Sequence, residues 1–471
     1  MHAFKMTRSK TARAPEILSE GPHHFCYKIQ IGSSACRGPS LKYQSKDAWS
    51  TMNILARFLS VCLGVNGLFG AYSARSAPAG VRDNAANVIN VRDYQAKGDN
   101  SSDDTIPIAN AFAAAATAWS SGIPAVVYFP PGIYVGCGPP INKFPISIHG
   151  EGHLKSVFRI WPTCSGDIFS WSEVWAANSF PLNGDTPAIN GQRAGVSVEG
   201  FSIIGDRSTS NQQNAFVFYD RADYVYMRDV DVMYLKGRCL YSGVTKTVPM
   251  AYLRESRFES LRFFNCGDVD SPVVEFNSEG TGDASNEIDI TALDIYSPYG
   301  TGLIIRNGNT RTSVREFRIS KLRIEGLEGN PAHIAADLLL LGDKTKAGNV
   351  NNIDIQQAAL IDPYENYAAF RTIAASKSAA PYQINFAGLI GGGRPAGKGI
   401  SIDAGRDLYF KLTGLYSIQT NITIGPATLV GSNITLDGNG HENTWTYSVD
   451  KSSLQSIGVP IRRYGNPSEA K

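Results

Sequence analysis

Short apolar stretches return about every 30 residues along much of this 471-residue chain, and this period restricts the possible folds more than any other feature. The gaps between their central residues are 29, 31, 32, 29, 38, 29 and 26 residues, and the interval from Leu322 to Leu360 breaks the rhythm. Because the stretches are short and rich in β-branched and aromatic residues, each repeat predicts one rung of a parallel β-helix, an all-β solenoid. The central residues are Phe201, Val230, Leu261, Leu293, Leu322, Leu360, Leu389 and Leu415.

A finer pattern within the rungs predicts which side chains point outward. With the central residue numbered 0, positions −3 and +2 are apolar in five consecutive rungs, from Phe201 to Leu322. Alternation along one straight strand cannot place positions −3, 0 and +2 on the same side. We therefore expect a bend near position −1, a strand on each side of it, and solvent-facing side chains at −2 and +1. Charges of opposite sign follow each other from rung to rung, which avoids like-charge contacts between stacked strands. Position −2 holds Glu199, Arg228, Glu259, Thr291 and Ser320, position +1 holds Ser202, Asp231, Arg262, Asp294 and Arg323, and position −4 holds Tyr226, Arg257, Asp289 and Arg318.

The segment from Val88 to Val135 predicts a strand, a Gly-Asp turn, a helix, a second strand and a Pro-Pro-Gly turn. Asp103 or Asp104 is placed to accept from the free N–H groups of the first helical turn, and Pro107 falls where a missing N–H costs little. A helix with a broad apolar face beside a strand is suited to cover the open end of a sheet stack, so we expect an N-terminal capping α-helix. Its predicted apolar face consists of Ile108, Phe112, Ala115, Ala116 and Trp119.

Three motifs in this segment, Gly98-Asp99, Asp103-Asp104-Thr105 and Tyr128-Phe129-Pro130-Pro131-Gly132, carry a family resemblance. In this order they resemble the opening of the pectate-lyase superfamily, which includes rhamnogalacturonase-like and epimerase-like enzymes and phage tailspikes. The resemblance implies a single-stranded right-handed parallel β-helix that binds an extended polysaccharide in a groove along the stack. It implies no particular catalytic site, because the paired aspartates belong to the cap and the motifs of the polygalacturonase branch do not occur in the predicted rungs.

The residues before the predicted solenoid have features of an export signal. Residues 1–51 show no helix or strand period, and Met52 opens a stretch with one early arginine, an apolar centre and small residues at its end. We therefore predict a non-native or disordered extension at 1–51, a true start at Met52 and a signal peptide at 52–79, cleaved after Ser73 or Ala79. A single membrane anchor is the alternative, although Asn66 and several glycines interrupt the apolar run. The mature form, without a membrane span, is then a secreted or periplasmic β-helix domain at 80–450 with a polar tail at 451–471.

Charge and cysteine content narrow the class of protein. The net charge is +2, charged residues make up 18% of the chain, and there is no basic run, so nucleic acid is not an expected partner. Cys137 and Cys164 are 27 residues apart, as are Cys239 and Cys266, so neighbouring rungs can bring each pair within disulfide reach. Since the second pair does not share a rung position, we expect buried free thiols, and there is no Cys-x-x-Cys metal pattern.

The predicted catalytic site is a cluster of outward-facing charges in the middle rungs, formed by Glu259, Asp231, Asp294, Arg262 and Arg257. Asp231 and Asp294 occupy the same position two rungs apart, so about 9.6 Å separates their backbones. That spacing is compatible with the two carboxylates of an inverting glycosidase. Elimination from a uronic acid instead needs a base and a cation beside the substrate carboxylate, a role suited to Arg257 or Arg262. The alternative is a solvated ladder of ion pairs that only stacks the rungs.

A second candidate is the sequence His149-Gly-Glu-Gly-His153. This spacing resembles a zinc pair only on a helix, and the two glycines argue against a helix, so we interpret them as turn residues and predict no metal site. No cofactor is predicted, with calcium left open for a lyase.

Aromatic side chains are the predicted substrate-binding residues. Trp171 and Trp175 lie in an irregular stretch between residues 165 and 195, where exposed rings would stack on sugar faces. Packing of these tryptophans under the loop is the alternative. Tyr296 and Tyr299 form a similar, shorter case.

The sequence therefore predicts an exported polysaccharide-active enzyme, a lyase or a glycoside hydrolase, whose partner is an extended acidic polysaccharide. A carbohydrate-binding or tailspike-like adhesin without catalysis is the main alternative, and a purely structural surface β-helix is the next. The signal sequence favours the enzyme over a phage component, since virion proteins assemble in the cytoplasm. The polymer and the oligomeric state are left open.

Overall fold

The computed structural model describes residues 87–174, 195–245, 250–309, 311–326, 336–342, 348–361, 368–391, 398–416, 421–425, 430, 434–438 and 446–449. The predicted extension at 1–51, signal peptide at 52–79 and polar tail at 451–471 lie outside these residues, as does Trp175, so these assignments stay predictions. Among the helices that are described, none is long and apolar enough to cross a membrane.

Parallel strands stacked rung upon rung build the described part of the chain, which contains 27 strands. This is the parallel β-helix predicted from the period. Hydrogen bonding between rungs sorts the strands into three stacks, which we name A, B and C. Several long strands bend, so that their first half belongs to stack A and their second half to stack B.

The elements have the following bounds. Stack A contains β1 (Asn87–Asn90), β3 (Ala125–Tyr128), β5 (Ser147–His149), β14 (Asn286–Ile290), β17 (Val314–Ile319) and β26 (Ile434–Gly438). Stack B contains β2 (Asp99–Asp103), β4 (Gly132–Gly136), β6 (Ser156–Ile160), β15 (Leu293–Tyr296) and β18 (Leu322–Glu325). The bent strands shared by A and B are β8 (Ser197–Ile204), β10 (Tyr226–Met233), β12 (Tyr252–Phe264), β20 (Val350–Ile361), β22 (Tyr382–Gly391) and β24 (Arg406–Tyr416). Stack C contains β7 (Gly166–Val174), β9 (Gln213–Asp223), β11 (Leu240–Gly243), β13 (Val274–Gly280), β16 (Leu303–Asn309), β19 (Ala336–Gly342), β21 (Ala368–Ala374), β23 (Lys398–Ile402), β25 (Asn421–Ile424) and β27 (Thr446–Val449). Two 3₁₀ helices span Val91–Tyr94 and Lys377–Ala379, and one α-helix, α1, spans Thr105–Ser120.

Helix α1 packs its apolar side on the first rungs. Asp103 accepts a hydrogen bond from the first N–H of the helix at 2.9 Å, as predicted for one of the two aspartates. Asp104 instead accepts from the N–H groups of Lys97 and Gly98 at 2.7 and 3.1 Å, so it fixes the Gly-Asp turn. That α1 caps the end of the solenoid stays a prediction, because the residues before 87 are not described. The buried side chains of α1 are Ile108, Ala111, Phe112, Ala115 and Trp119.

A left-handed backbone conformation marks the bend between stacks A and B at the predicted position −1. Gly200, Asp229 and Ser260 have φ angles of 61°, 52° and 54°. A residue in this conformation turns the chain and resets the strand alternation, which lets positions −3 and 0 both point inward. Positive φ also recurs at position −6, in Tyr224, Glu255, Glu287 and Glu316, and at position +4, in Tyr234, Asn265 and Ser297.

The register between rungs confirms the predicted central positions in the middle of the solenoid. Phe201 pairs with Val230, and Val230 pairs with Leu261. Leu261 pairs with Leu293, which pairs with Leu322. The rung-to-rung alignment of the charged positions is therefore also confirmed over these rungs, whereas the predicted exposure of position +1 is wrong for Ser202 and Asp231, which are buried.

The last three central assignments are wrong. Leu322 pairs with Ala358, Ala358 with Gly388, and Gly388 with Leu412. Ala358 and Gly388 have no large apolar side chain. The sequence pattern therefore assigned the central position to larger apolar residues nearby. The residues wrongly placed at the centre are Leu360, Leu389 and Leu415.

Aromatic side chains from successive rungs stack inside the solenoid. The ring centroid of Phe201 lies 4.8 Å from that of Phe129 and 5.7 Å from that of Phe169. Phe169 also stacks on Phe216 at 6.0 Å. Such contacts add packing energy to the burial of apolar area, so the first rungs form a continuous core under α1.

Trp171 belongs to this core, which corrects its predicted role in sugar binding. Its exposed fraction is 0%, and its ring stacks on Phe218 at 5.0 Å. Its indole N–H donates to the carbonyl of Ile146 at 2.9 Å. Trp171 occupies an inward position of strand β7, so neither face of the ring is available to a ligand.

Cysteine chemistry differs between the two pairs. Cys137 and Cys164 form a disulfide with Cα atoms 5.5 Å apart, which corrects the expectation of free thiols for this pair. They follow β4 and β6, which are neighbours in stack B, so their spacing of one rung brings them together. Cys239 and Cys266 are buried free thiols as expected, and burial raises the pKa of Cys239.

Candidate active site

The five predicted catalytic residues meet at the outer corner between stacks A and B. Asp231 pairs with Arg262, and Arg262 with Asp294, on the outside of stack B. Glu259 and Arg257 lie on stack A, on the same strand as Arg262. The bend at position −1 separates the two groups. Their neighbourhood is confirmed, and their catalytic role stays a prediction.

The carboxylate of Asp231 is buried, contrary to the exposure expected for position +1. Only 2% of the residue is exposed. Arg262 donates to it from Nε at 2.6 Å and from Nη2 at 3.2 Å. Nδ1 of His153 lies 2.5 Å from Oδ2, and the hydroxyl of Ser202 lies 3.3 Å from the same oxygen. A buried carboxylate with three partners is fixed in place, so Asp231 does not fit the expected inverting pair with Asp294.

The turn at residues 150–155 covers this carboxylate. Its backbone crosses the bend of the next rung, where the N–H of Gly152 donates to the carbonyl of Gly200 at 2.8 Å. A Cβ atom on Gly200 would lie 2.9 Å from both the carbonyl oxygen of Gly150 and the nitrogen of Gly152. The two backbones approach each other this closely because residue 200 is glycine. The turn contains no helix, as predicted from its glycines.

His153 is the candidate that sequence reasoning missed. It precedes Asp231 by 78 residues, and the His-x-x-x-His spacing directed attention to metals instead. When Nδ1 donates to Asp231, Nε2 is left as the atom that accepts a proton. The side chain is 52% exposed, so it is accessible from the outer surface. An imidazole oriented by a buried carboxylate is suited to general base catalysis.

A second histidine–carboxylate pair lies on stack A. Nε2 of His149 is 2.8 Å from the hydroxyl of Ser197 and 3.3 Å from Oε1 of Glu199. Arg228 donates to the same carboxylate at 2.5 Å. The hydrogen bond from His149 lowers the pKa of Glu199 and outweighs the opposite effect of burial, and Arg228 adds to the shift. In His149 the bonded nitrogen is Nε2, whereas in His153 it is Nδ1.

Glu259 is held by two neighbours. The hydroxyl of Tyr226 donates to it at 3.0 Å, and Nε of Arg257 lies 2.6 Å from its other oxygen. Burial, followed by the hydrogen bond to Glu259, raises the pKa of Tyr226 to about 12. Since Arg257 is well exposed, its ion pair contributes less than about 1 kcal/mol to folding.

Of the predicted catalytic carboxylates, Asp294 makes the weakest polar contacts. Its Oδ1 lies 3.5 Å from Nζ of Lys321 and has no hydrogen bond within the described part of the chain. The arginines on the two neighbouring rungs bind other carboxylates. Arg262 binds the buried carboxylate of Asp231, and Nε of Arg323 donates to Glu325 at 2.9 Å. Because this oxygen is buried, it is an acceptor without a short partner inside the protein and is not exposed to a ligand.

Aromatic rings line stack B beside this column. Phe264 pairs with Tyr296 of the next rung, and Tyr234 contacts Phe264 edge to face at 5.7 Å. Phe264 and Tyr234 are 38% and 43% exposed. Contiguous exposed aromatic surface is typical of ligand-binding sites. Tyr296 thus keeps its predicted place beside the site, and sequence reasoning missed Phe264 and Tyr234 because single exposed rings have no sequence signature.

Tyr299 is less accessible to a sugar ring than predicted. The guanidinium carbon of Arg207 lies 3.4 Å from the centre of its ring and covers one face. Arg207 is fixed there because it also donates to the carbonyl of Gly267 at 2.6 Å. Burial lowers the pKa of Arg207.

No group of three or more His, Cys, Asp or Glu side chains in the described ranges is arranged to hold a metal ion. The expectation that no cofactor is needed, with calcium open for a lyase, stays a prediction.

Comparison with known proteins gives a family match over the first rungs. Residues 88–173 match the family described as Rhamnogalacturonase A/epimerase, pectate lyase-like. A stretch of 82 residues is 39% identical to a "Probable glucan endo-1,3-beta-glucosidase" of Arthroderma benhamiae. That match covers 16% of this chain and 9% of the relative, so the chain spans only a small part of the relative's length.

The solved structures that this chain resembles share little sequence with it. The A-module of the mannuronan C-5 epimerase AlgE4 of Azotobacter vinelandii is 15% identical, with a TM-score of 0.39 over 72% of this chain and 98% of that chain. ORF18 of Geobacillus virus E2 is 17% identical, with a TM-score of 0.38 over 71% and 60%. A family 28 exopolygalacturonase of Yersinia enterocolitica is 10% identical, with a TM-score of 0.37 over 78% of each chain. At TM-scores this low, these likenesses carry no argument about what this chain binds or catalyses.

Proposed function

We propose that this pectate-lyase-like right-handed parallel β-helix protein binds an extended acidic polysaccharide along the outer corner of stacks A and B and cleaves it by β-elimination. The observation that carries the proposal is the contact of 2.5 Å between His153 and the buried carboxylate of Asp231. It orients an accessible imidazole next to Arg262, which binds the same carboxylate.

In the proposed reaction His153 is the general base. Nε2 takes the proton from the carbon next to a uronate carboxylate of the substrate. The electron pair of that C–H bond forms a C=C bond, the glycosidic C–O bond breaks, and the leaving oxygen takes a proton from solvent. Asp231 keeps the imidazole in the required orientation and stabilises its protonated form.

Arg262 is the proposed partner of the substrate carboxylate. Asp231 uses its Nε and Nη2 atoms, which leaves Nη1 without a partner among the described residues. A guanidinium facing the uronate stabilises the negative charge that develops when the proton leaves.

Elimination is favoured over hydrolysis because the carboxylates are not free to act as a pair. Hydrolysis needs one carboxyl group as acid and a second as base or nucleophile. Asp231 is buried and fully engaged, and Glu259 is bonded to Tyr226 and Arg257. Oδ1 of Asp294 is buried and lies 3.5 Å from Nζ of Lys321, so this carboxylate is not free to act as the second member of a pair either.

The disulfide between Cys137 and Cys164 supports the proposed export to the secreted or periplasmic space. Disulfides form and persist in oxidising compartments, and they are rare where thiols are kept reduced. The signal peptide remains part of the proposal.

The cleavage is tested by incubating the purified chain with polygalacturonate, alginate and a neutral glucan. Ultraviolet absorbance of the unsaturated product and new reducing ends are followed together. We expect both signals with an acidic polymer and neither with His153→Gln. Reducing ends without absorbance would mean hydrolysis, and would shift the catalytic assignment to Asp294 and Glu259.

A non-catalytic carbohydrate-binding protein, such as a tailspike-like adhesin, is the second candidate. The observation that favours it is that most outer charges at the corner already form ion pairs, such as Glu199 with Arg228 and Glu259 with Arg257. Retention of the polymer in affinity electrophoresis by both the wild type and His153→Gln, without any product, would decide for this function.

A further inference from the structure

A shallow depression lies on the outside of stack A, several rungs beyond the candidate active site. It encloses about 350 Å³. The side chains around it that bear on its chemistry are Asp354, Gln356, Asn385, Ala387, Tyr409 and Lys411.

The depression results from a small side chain among longer ones on three successive rungs. Ala387 pairs with Lys411 of the next rung. Asp354, Asn385 and Tyr409 pair in succession beside it. Because the methyl group of Ala387 is the shortest side chain in this patch, the surface is lowered there.

The lining differs in chemistry from the ion-pair ladder nearer the active site. Tyr409 is 39% exposed and offers part of an aromatic ring. Lys411 is exposed and supplies a cation at the edge of the depression. Asp354 accepts a hydrogen bond from Nε2 of Gln356 at 3.0 Å, and the amide of Asn385 is exposed beside them. A ring, a cation, amides and a carboxylate around one depression match the ring face, the carboxylate and the hydroxyl groups of a uronate sugar.

We propose that this depression is a second saccharide-binding subsite, which takes one uronate residue of the polymer away from the point of cleavage. The ligand class rests on the proposed function. The depression shares its outer face with the active site, since Arg257, Asp289, Arg318 and Asp354 pair in succession along stack A. From the rung of Asp231, which orients the proposed base, to that of Asn385 is five rungs, or about 24 Å along the axis. An oligosaccharide must span this distance to contact both places.

The test measures binding of size-fractionated oligogalacturonates and alginate oligomers to the full chain carrying His153→Gln, so that the ligand is not consumed. Lys411→Ala and Tyr409→Ala are each added to this background. We expect each to raise the Kd of oligomers of about ten sugars roughly fivefold to tenfold, as expected for the loss of one charge-assisted or stacking contact. The control Lys377→Ala removes an exposed lysine from the 3₁₀ helix at Lys377–Ala379 and should leave this Kd unchanged.

The outcomes separate the subsite from the cleavage. If Lys411→Ala weakens binding although the wild type cleaves no polymer, the subsite stands and the proposed elimination is wrong. If the wild type cleaves the polymer and both variants bind long oligomers as tightly as the background does, the subsite is overturned. Melting curves followed by circular dichroism check that the variants are folded.

Discussion

Nδ1 of His153 lies 2.5 Å from Oδ2 of Asp231, although 78 residues separate them in the chain. The contact spans two rungs, because the turn that carries the histidine reaches past the rung of Ser202. The N–H of Leu154 donates to the hydroxyl of Ser202 at 3.0 Å and holds the turn in place. The orientation of the proposed base thus depends on the correct stacking of three consecutive rungs.

Replacing His153 with Gln should remove turnover while the protein stays folded. General base catalysis contributes about 10²- to 10⁴-fold, so we expect a fall in kcat of at least about 100-fold. The amide of Gln can still donate to Asp231, and Arg262 keeps its two hydrogen bonds to that carboxylate, so the melting temperature should hardly change. Steady-state kinetics and thermal melting measure both. His149→Gln is the matched control and should keep most of the activity; equal losses in the two variants would contradict the assignment.

Asp231→Asn should lower both activity and stability. Arg262 and His153 lose a charged partner that is almost completely buried, which we expect to reduce the free energy of unfolding by about 2 kcal/mol. Asp289→Asn is the control, because its ion pair with Arg318 at 3.1 Å is exposed and contributes about 0.5 kcal/mol or less. Urea denaturation compares the two. Similar values for both would mean that the Asp231 cluster is only a surface ladder.

Gly200→Ala should destabilise the protein by about 3 kcal/mol, since a Cβ there combines a left-handed φ of 61° with backbone atoms at 2.9 Å. Gly326→Ala separates the conformational cost of a left-handed φ from the cost of the steric contact. Gly326 has a φ of 72° but its nearest atom would be 3.8 Å away, so only the conformational cost of about 1–2 kcal/mol applies. Chemical denaturation gives both values. Gly200→Ala should also lower kcat, because it displaces the turn that holds His153, and unchanged kinetics would argue against that link.

The interaction between His149 and Glu199 should make the free energy of unfolding depend on pH in the acid range. The hydrogen bond from His149 lowers the pKa of Glu199 below its ordinary value of 4.5, so the ionised form is stabilised in the folded state. This contribution is fully present above pH 4.5 and is lost as the pH falls through the lowered folded-state pKa. His149→Gln should therefore be less stable than the wild type above pH 4.5, and the difference should shrink in stronger acid. Unfolding curves over this range test it; a constant difference would show that Glu199 is not responsible.

The disulfide between Cys137 and Cys164 closes a separation of 27 residues and should stabilise the first rungs by about 3 kcal/mol. Cys137→Ser should lose this amount under oxidising conditions. Adding a reductant should bring the wild type down to the variant and leave the variant unchanged. If the wild type were insensitive to the reductant in thermal melting, the bond would not be formed in solution.

The period and charge pattern predicted much of the fold. The central residues from Phe201 to Leu322, the bend at position −1 and the charge column through Asp231, Arg262 and Asp294 agree with the register of the structure. The prediction failed at Ala358 and Gly388, where small side chains occupy central positions. Apolar periodicity identifies a rung only where the inward residues are large.

The sequence by itself determined the stacking of rungs, because inward and outward positions alternate along each strand and identical spacing repeats them in register. Only the tertiary structure decided which outward residues form a site. The burial of Asp231, its contact with His153, the disulfide and the inward position of Trp171 depend on where turns fold over neighbouring rungs. Turn paths are set by contacts between residues far apart in the chain, such as Gly150 with Gly200, and a one-dimensional pattern carries no record of them.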